Sequence, residues 1–316
     1  MRYLITGGSG LVGAYTVRHL INEGHAVVVY DLNPDSALLF KVLKEEDRAK
    51  VSMVSGDTRD LAGIMRALKD HEVQEVIHLA YMLTAGTEAN PSLGVQVNIL
   101  GTSNIFEAAR ILKLRKVVWA SSSAVFGAQE DYTEERLAND AVHKPRYLYG
   151  ACKSFCEFMG HYYFTKHNLD NVGLRFTVVY GPGKYFTMTR GTVAGFASEL
   201  IEKPALSDEP SVIPYGDDSI DWLYVEDAAR SLYLASLADR TPKRAYTICG
   251  DLRPMREVVS CVKKILPKAR IELQPGKMDL FWNFDISAAE KDIGYRPEYT
   301  VERGAEETIR LLQAGF

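Results

Sequence analysis

A doubly wound parallel α/β sheet, followed by a smaller irregular C-terminal lobe, is the fold this sequence predicts. Three observations carry the prediction. Short apolar runs alternate with amphipathic helical stretches through the first half of the 316 residues, the pattern of βαβ crossovers. A glycine-rich turn joins the first run to the first helical stretch. Gly and Pro then interrupt the pattern after Phe176.

In chain order, Arg2 to Thr6 reads as the first strand, and Leu11 to Asn22, with apolar residues three and four apart, as the first helix. Ala26 to Asp31 and Val51 to Val54 are the next two strands, each rich in Val and bounded by polar residues. A helix over Leu61 to Lys69 leads to a fourth strand, Glu75 to Leu79. A long helix over Leu93 to Leu112 leads to a fifth, Lys116 to Ser121. The helix Tyr149 to His167 precedes the strand Val172 to Phe176. Beyond it, Gly181, Pro182, Gly183, Pro204, Pro210 and Pro214 leave room only for short elements. The chain thus divides into a doubly wound unit over residues 1–180 and a lobe over 181–316, with segments from about 217–250 returning to the first unit.

Composition excludes several classes. Lys plus Arg is 37 against 41 Asp plus Glu, and the net charge of −4 gives no footprint for nucleic acid or an anionic membrane. No run approaches the ~18 apolar residues of a membrane span, and MRYLITGG enters the first strand without a signal-peptide layout; the expectation is a cytoplasmic protein. Cys152, Cys156, Cys249 and Cys261 have neither disulfide-framework nor zinc-site spacing. They read as reduced, mostly buried thiols. His78 has no second ligand at helical or strand spacing, so a metal site is not expected.

The turn TGGSGLVG places Gly7, Gly10 and Gly13 between strand and helix. Glycine tolerates the tight turn, lets the backbone approach a pyrophosphate, and permits close helix-on-strand packing. The helix N-terminus, around Leu11 and Val12, offers N–H groups to the anion. Asp31 ends the second strand 18 residues after Gly13, where a carboxylate reaches ribose hydroxyls and repels a 2′-phosphate; NAD is favoured over NADP. Asp57, with Thr58 beside it, stands where a side chain can reach adenine, or where an acid simply caps a helix.

Tyr149 and Lys153, in YGACK, share one helix face. A nearby ammonium lowers the pKa of a phenol from its usual ~10 and equips it for proton transfer with a substrate hydroxyl. The run Ser121, Ser122, Ser123 follows the fifth strand and supplies hydroxyls at the sheet edge.

TGGSGLVG, Asp31, the HLA of His78 to Ala80, VNILGT around Asn98, ASSSAVFG, YGACK, LRFTVVYGPG and DWLYVEDAAR occur in an order that resembles the extended short-chain dehydrogenase/reductase family, which includes NAD-dependent sugar epimerases and dehydratases. The C-terminal DISAAEKDIGYRPEYTVERGAEETI is similar as well, so the likeness spans nearly the whole chain. It implies a Rossmann-type unit with a substrate lobe, bound NAD, and a triad of Ser122, Tyr149 and Lys153, with Ser123 next in line for the serine. It also implies cofactor contacts from Gly7, Gly10, Gly13, Asp31, Asp57, Leu79, Ala80 and Asn98, and from the backbone near Val178 or Val179. The family's usual dimer pairs two long helices; here Phe155, Phe158, Met159, Tyr162 and Tyr163 spread round the helix that follows Tyr149, and a homodimer is expected.

The departures bear on substrate. Where dehydrating members carry an adjacent Asp-Glu pair, this chain has Ser123 and Ala124, so elimination of water lacks its proton carriers. Thr177, Ile220 and Asp221 stand where nucleotide-sugar members commonly carry Asn and Arg. A carboxylate at 221 facing a pyrophosphate would cost of order 1 kcal/mol, which argues for a smaller secondary alcohol or carbonyl compound such as a sugar acid, amino alcohol or ketone. Arg190 is the cation nominated to grip its carboxylate or phosphate. Tyr81 to Thr87, Tyr185, Phe186 and Trp222 are nominated as pocket wall. NAD-dependent hydride transfer to or from such a substrate is the expected activity, with nucleotide-sugar epimerisation on retained NAD as the rival.

Overall fold

The computed structural model describes residues 1–34, 37–187 and 195–316, and its strands follow the apolar runs in chain order. The first six are β1 (Arg2–Thr6), β2 (Ala26–Asp31), β3 (Val51–Ser55), β4 (Glu75–His78), β5 (Lys116–Ser122) and β6 (Asn171–Phe176). Six shorter strands follow: β7 (Val178–Tyr180), β8 (Ser211–Ile213), β9 (Ser219–Tyr224), β10 (Ala245–Ile248), β11 (Asp251–Pro254) and β12 (Ile271–Leu273). The main sheet has the order β10-β6-β5-β4-β1-β2-β3, and all its pairings are parallel. Helices cover both faces, so β4 and β6 are buried along their whole length. Double burial explains why these strands read as continuous apolar runs instead of alternating ones.

The order turns back between β1 and β4, which opens a crevice above the carboxyl ends of the two strands. Thr6 pairs with both Tyr30 and His78, so the glycine turn and the residues after His78 leave the sheet at one level. His78 pairs with Trp119, and β5 runs on to Ser122. Its serines therefore rise above the sheet edge over the crevice.

After β6 the chain builds a three-stranded sheet, β11-β9-β7, and a two-stranded one, β12-β8. β10 returns to the main sheet beside β6, and the helix Val225–Leu237 packs on the helix Leu11–Asn22. One apolar core runs from Tyr3 and Ile5 through Trp222 to Val258 and Ile309. Lobe and sheet thus share their interior.

The helix predicted over Leu93 to Leu112 is interrupted. An α-helix over Pro91–Val95 widens into a π-helical turn at Gln96–Leu100 and resumes as Gly101–Leu112. The carbonyl of Asn98, inside that turn, accepts the Thr102 hydroxyl at 2.7 Å and the Cys156 thiol at 3.3 Å. Such side-chain partners satisfy groups that a widened turn releases. All four cysteines are free and buried. Among the described residues no helix is long and apolar enough to cross a membrane.

Candidate active site

The glycine turn sits against the main chain on both sides. Gly7 has φ +69°, and a Cβ there would lie 2.7 Å from the Leu79 carbonyl carbon. A Cβ on Gly13 would lie 2.2 Å from the Gly7 oxygen. Only glycine lets β1, the turn and the helix come this close. Gly10 caps the helix without any side-chain hydrogen bond, and Gly10, Leu11, Val12 and Gly13 line a cavity of about 370 Å³. Asp31 turns its carboxylate toward the same turn, accepting the Ser9 N–H at 3.2 Å and the Asn33 N–H at 3.2 Å. An uncapped helix N-terminus beside a bare glycine backbone, with a carboxylate at the next strand end, fits a dinucleotide: pyrophosphate over the turn, ribose hydroxyls on Asp31.

The remaining cofactor nominees divide. Leu79 lines the cavity, and Ala80 follows it, its N–H bound to the Thr6 hydroxyl at 3.2 Å. Asp57 stands at the open end beyond β3, where Arg59 grips its carboxylate at 2.5 Å and holds its pKa below the usual range. Thr58 is buried, its carbonyl accepting the Asn104 amide at 2.9 Å. Asn98 is buried too, and its amide is spent on the neighbouring loop: it accepts the Met82 N–H at 2.9 Å and donates to the Met82 carbonyl at 3.0 Å and the Thr87 hydroxyl at 3.2 Å. It fastens the loop that walls the cavity, and its side chain does not itself form that wall.

The serine run, Tyr149 and Lys153 meet on the other side of the cavity. The helix Leu148–His167 reaches them because residue 150 is Gly; a Cβ there would lie 2.0 Å from the Ala124 oxygen. The three serines have different partners. Ser121 donates to the buried Glu157 at 2.6 Å, a carboxylate that burial pushes up but Arg175, at 2.6 Å, pulls below its ordinary range. Ser122 accepts the Ala124 N–H at 3.2 Å, and its hydroxyl is near enough to the Tyr149 phenol to act on that group's pKa. Ser123 is buried in the next turn and lines the cavity.

Lys153 is fully buried, donates to the Ala120 carbonyl at 2.5 Å, and stands 2.7 Å from the centre of the Tyr81 ring and 5.6 Å from that of Tyr149. Burial lowers its pKa well below the ordinary lysine value. Burial also pushes the Tyr149 phenol up to about 12, against the opposing pull of the nearby Ser122 hydroxyl. The sequence spacing predicts a lowered phenol; in the protein alone desolvation is the main cause and raises it, while the Lys153 amine is engaged by Ala120 and Tyr81. His78 is packed, with Thr6 at 2.6 Å and Thr102 at 3.2 Å on its two ring nitrogens. Among the described residues no three metal-ligating side chains gather.

The wall is completed by Tyr81, Leu83 and Thr84, by Phe176 to Val179, and by Lys184, Phe196, Met278, Leu280 and Trp282. Arg190 lies outside the described residues, as does the Phe186 side chain. Tyr185 is half-buried beside the wall, its N–H bound to Glu202 at 2.9 Å, and Trp222 belongs to the core. Asp221 requires a correction. Its carboxylate is 2% exposed and faces inward, accepting the Thr177 hydroxyl at 2.5 Å and the Gly250 N–H at 2.9 Å. It presents no charge to a ligand, so the electrostatic argument against a diphosphate falls.

Comparison with known proteins identifies the family. The sequence model of the NAD dependent epimerase/dehydratase family matches residues 3–249. A UDP-glucuronate 4-epimerase of Thermodesulfobacterium geofontis is 26% identical, over 97% of this chain and 94% of that protein. The crystal structure of the Thermus thermophilus UDP-glucose 4-epimerase in complex with NAD superposes with a TM-score of 0.83 over 100% of both chains, at 26% identity. L-threonine 3-dehydrogenase from Trypanosoma brucei has the same fold, with a TM-score of 0.86 over 99% of this chain and 97% of its own, at 21% identity. A family model over most of the chain settles the lineage: the chain belongs to the NAD dependent epimerase/dehydratase family, within the extended short-chain dehydrogenase/reductases, and is an NAD-dependent enzyme.

Proposed function

We propose that the protein transfers hydride between NAD and the secondary alcohol or carbonyl of a small substrate, working as a dehydrogenase or reductase. The observation that carries this reading is the convergence of Ser122, Tyr149 and Lys153 on the cavity that the glycine turn also lines. NAD, when bound, supplies the hydride acceptor or donor. Tyr149 takes the proton of the substrate hydroxyl in oxidation and returns it in reduction. Ser122, on the same stretch of cavity wall as the phenol, holds the substrate oxygen beside it. Lys153 supports the phenolate electrostatically and can reach the nicotinamide ribose. With Ser123 and Ala124 in place of an acid pair, dehydration has no acid and base beside the substrate.

Nucleotide-sugar epimerisation is the second reading, favoured by the relatives named as UDP-glucuronate 4-epimerases and by the inward turn of Asp221. Net NADH formation, followed by absorbance across a panel of secondary alcohols, separates the two. Steady accumulation supports the dehydrogenase; interconversion of a nucleotide sugar with no net NADH supports the epimerase. Tyr149→Phe abolishes either activity, and unchanged turnover in that variant would refute the mechanism. The same helix that carries Tyr149 exposes Phe155, Phe158 and Tyr162, with Phe158 64% exposed, and Val95, Leu100 and Ile111 are exposed on the preceding helical segments. We assign this apolar face to a two-fold contact with a second copy.

A further inference from the structure

Lys184 was not singled out by the sequence, yet it lines the cavity while only 7% exposed. It opens the short helix Lys184–Thr187, straight after Gly181 and Gly183, whose φ angles of +151° and +103° turn the chain back on itself. Its ammonium donates to the carbonyl of Val179, another lining residue at the end of β7. Glu202 fixes this turn from behind, one carboxylate oxygen accepting the Gly183 N–H at 2.9 Å and the other the Tyr185 N–H at 2.9 Å. Both neighbours of the lysine are thereby held.

We propose that Lys184 sets the substrate class: it holds an anionic group, a carboxylate or a phosphate, on the compound whose hydroxyl Tyr149 addresses. The assignment rests on the hydride-transfer reading for the second half of that statement and on the cavity itself for the first. Among the described lining residues the cations are Lys153 and Lys184, and there is no Asp or Glu. Lys153 is committed to the Tyr149 side, through Ala120 and Tyr81. Lys184 lies on the β7 side, where Thr177, Val178 and Val179 form the floor and Phe196, Met278, Leu280 and Trp282 add apolar wall. An anion entering such a wall meets an ammonium held away from bulk water, and the low polarity of the surroundings strengthens the pairing. The Val179 carbonyl is an uncharged partner and orients the amine at the cavity wall. Burial depresses the Lys184 pKa and raises that of Glu202, whose two carboxylate oxygens are engaged by the N–H groups of Gly183 and Tyr185. The two lysines define a polarity for the substrate, with the anionic group toward β7 and the hydroxyl toward Ser122.

The test uses the full chain loaded with NAD, so that the glycine turn is filled. Inorganic phosphate and acetate are titrated in turn while Trp282 fluorescence is followed, with Trp282→Phe as the control for signal assignment. At least one anion is expected to bind saturably, and which of them binds more tightly distinguishes a phosphorylated from a carboxylated substrate. Lys184→Met is expected to weaken that binding about tenfold or more, and Lys184→Arg to keep it within about threefold, while NAD affinity is unchanged in both. In turnover, a hydroxy acid or phosphorylated alcohol is compared with its neutral amide or unphosphorylated form; Lys184→Met raises KM for the charged member, leaves kcat near wild type, and removes the preference. Absence of saturable anion binding in the wild type, or equal binding by Lys184→Met, would overturn the assignment. A merely structural lysine would instead lower thermal stability and leave the anion preference intact. Tyr149→Phe separates the two claims: unchanged turnover there refutes hydride transfer through Tyr149 while leaving the anion result standing.

Discussion

Gly13→Ala tests the cofactor site without knowledge of the substrate. The added methyl would lie 2.2 Å from the Gly7 oxygen and 2.7 Å from the Gly8 Cα, both main-chain atoms that cannot rotate away. Ordinary contact begins near 3.4 Å, so the helix start and the turn must part by about 1.2 Å. An N–H···O bond near 2.9 Å does not survive a displacement of that size, and losing one charge-assisted bond to the pyrophosphate costs about 1.5–3 kcal/mol, roughly 10- to 150-fold in Kd. Stability changes less: overpacking costs about 1–3 kcal/mol, offset in part by the better helix propensity of Ala, about 1 kcal/mol. Isothermal titration with NAD reads the affinity and calorimetric melting reads the stability. Gly24→Ala is the control, since Gly24 has φ +79° and nothing within 4 Å of its Cβ position; it should lose about 1–2 kcal/mol of stability with NAD affinity unchanged. If Gly13→Ala binds NAD within about twofold of wild type, the pyrophosphate does not lie over this turn and the assignment fails.

Further outcomes follow from the same geometry. Asp31→Ala should shrink the preference for NAD over NADP about tenfold or more, because a carboxylate no longer faces the 2′-phosphate; equal ratios in variant and wild type would count against the ribose assignment. With burial pushing the Tyr149 phenol up to about 12, the neutral form dominates throughout the physiological range. The difference spectrum between NAD-free wild type and Tyr149→Phe should therefore show no phenolate below about pH 10; a signal near neutrality would contradict it. Phe158→Glu places a charge on the exposed apolar face and should convert a dimer into a monomer by light scattering, with NAD affinity retained; an unchanged mass would move the dimer contact elsewhere.

The sheet was legible because its signals are local. A strand buried on both faces must be a short continuous apolar run, and VVVY or VVWA has little else to become in this setting. The glycine turn was legible for a related reason: its backbone leaves no room for side chains at Gly7 and Gly13. Order in the sequence also located Tyr149, Lys153 and the serines. What it could not do was choose among the serines by chemistry, since that choice depends on Glu157, a residue 36 positions from Ser121 that draws the Ser121 hydroxyl inward. The far wall was missed because Met278, Leu280 and Trp282 come from irregular chain with no period to read. MDLFWNF, an apolar and aromatic run outside any helical or strand pattern, was the available signal. Likewise KYFTMT after Gly-Pro-Gly points to a cation at Arg190, and Lys184 stands six residues before it.

The correction at Asp221 bears on more than one residue. The net charge of −4 belongs to the whole chain and says little about its cavity, because three carboxylates that border it are consumed by the fold. Glu157 is bound to Arg175 and Ser121, Asp221 to Thr177 and the Gly250 N–H, and Glu202 to the N–H groups of Gly183 and Tyr185. Each acid turns its oxygens into the protein, where they anchor a strand end or a turn bordering the crevice. Among the described lining residues this leaves two lysines and no carboxylate, so a chain that is acidic overall encloses a cavity with no acid on its wall. Whether the anion it takes is a carboxylate, a phosphate or a diphosphate is then a matter of reach from Lys184 to Tyr149, not of repulsion from the protein.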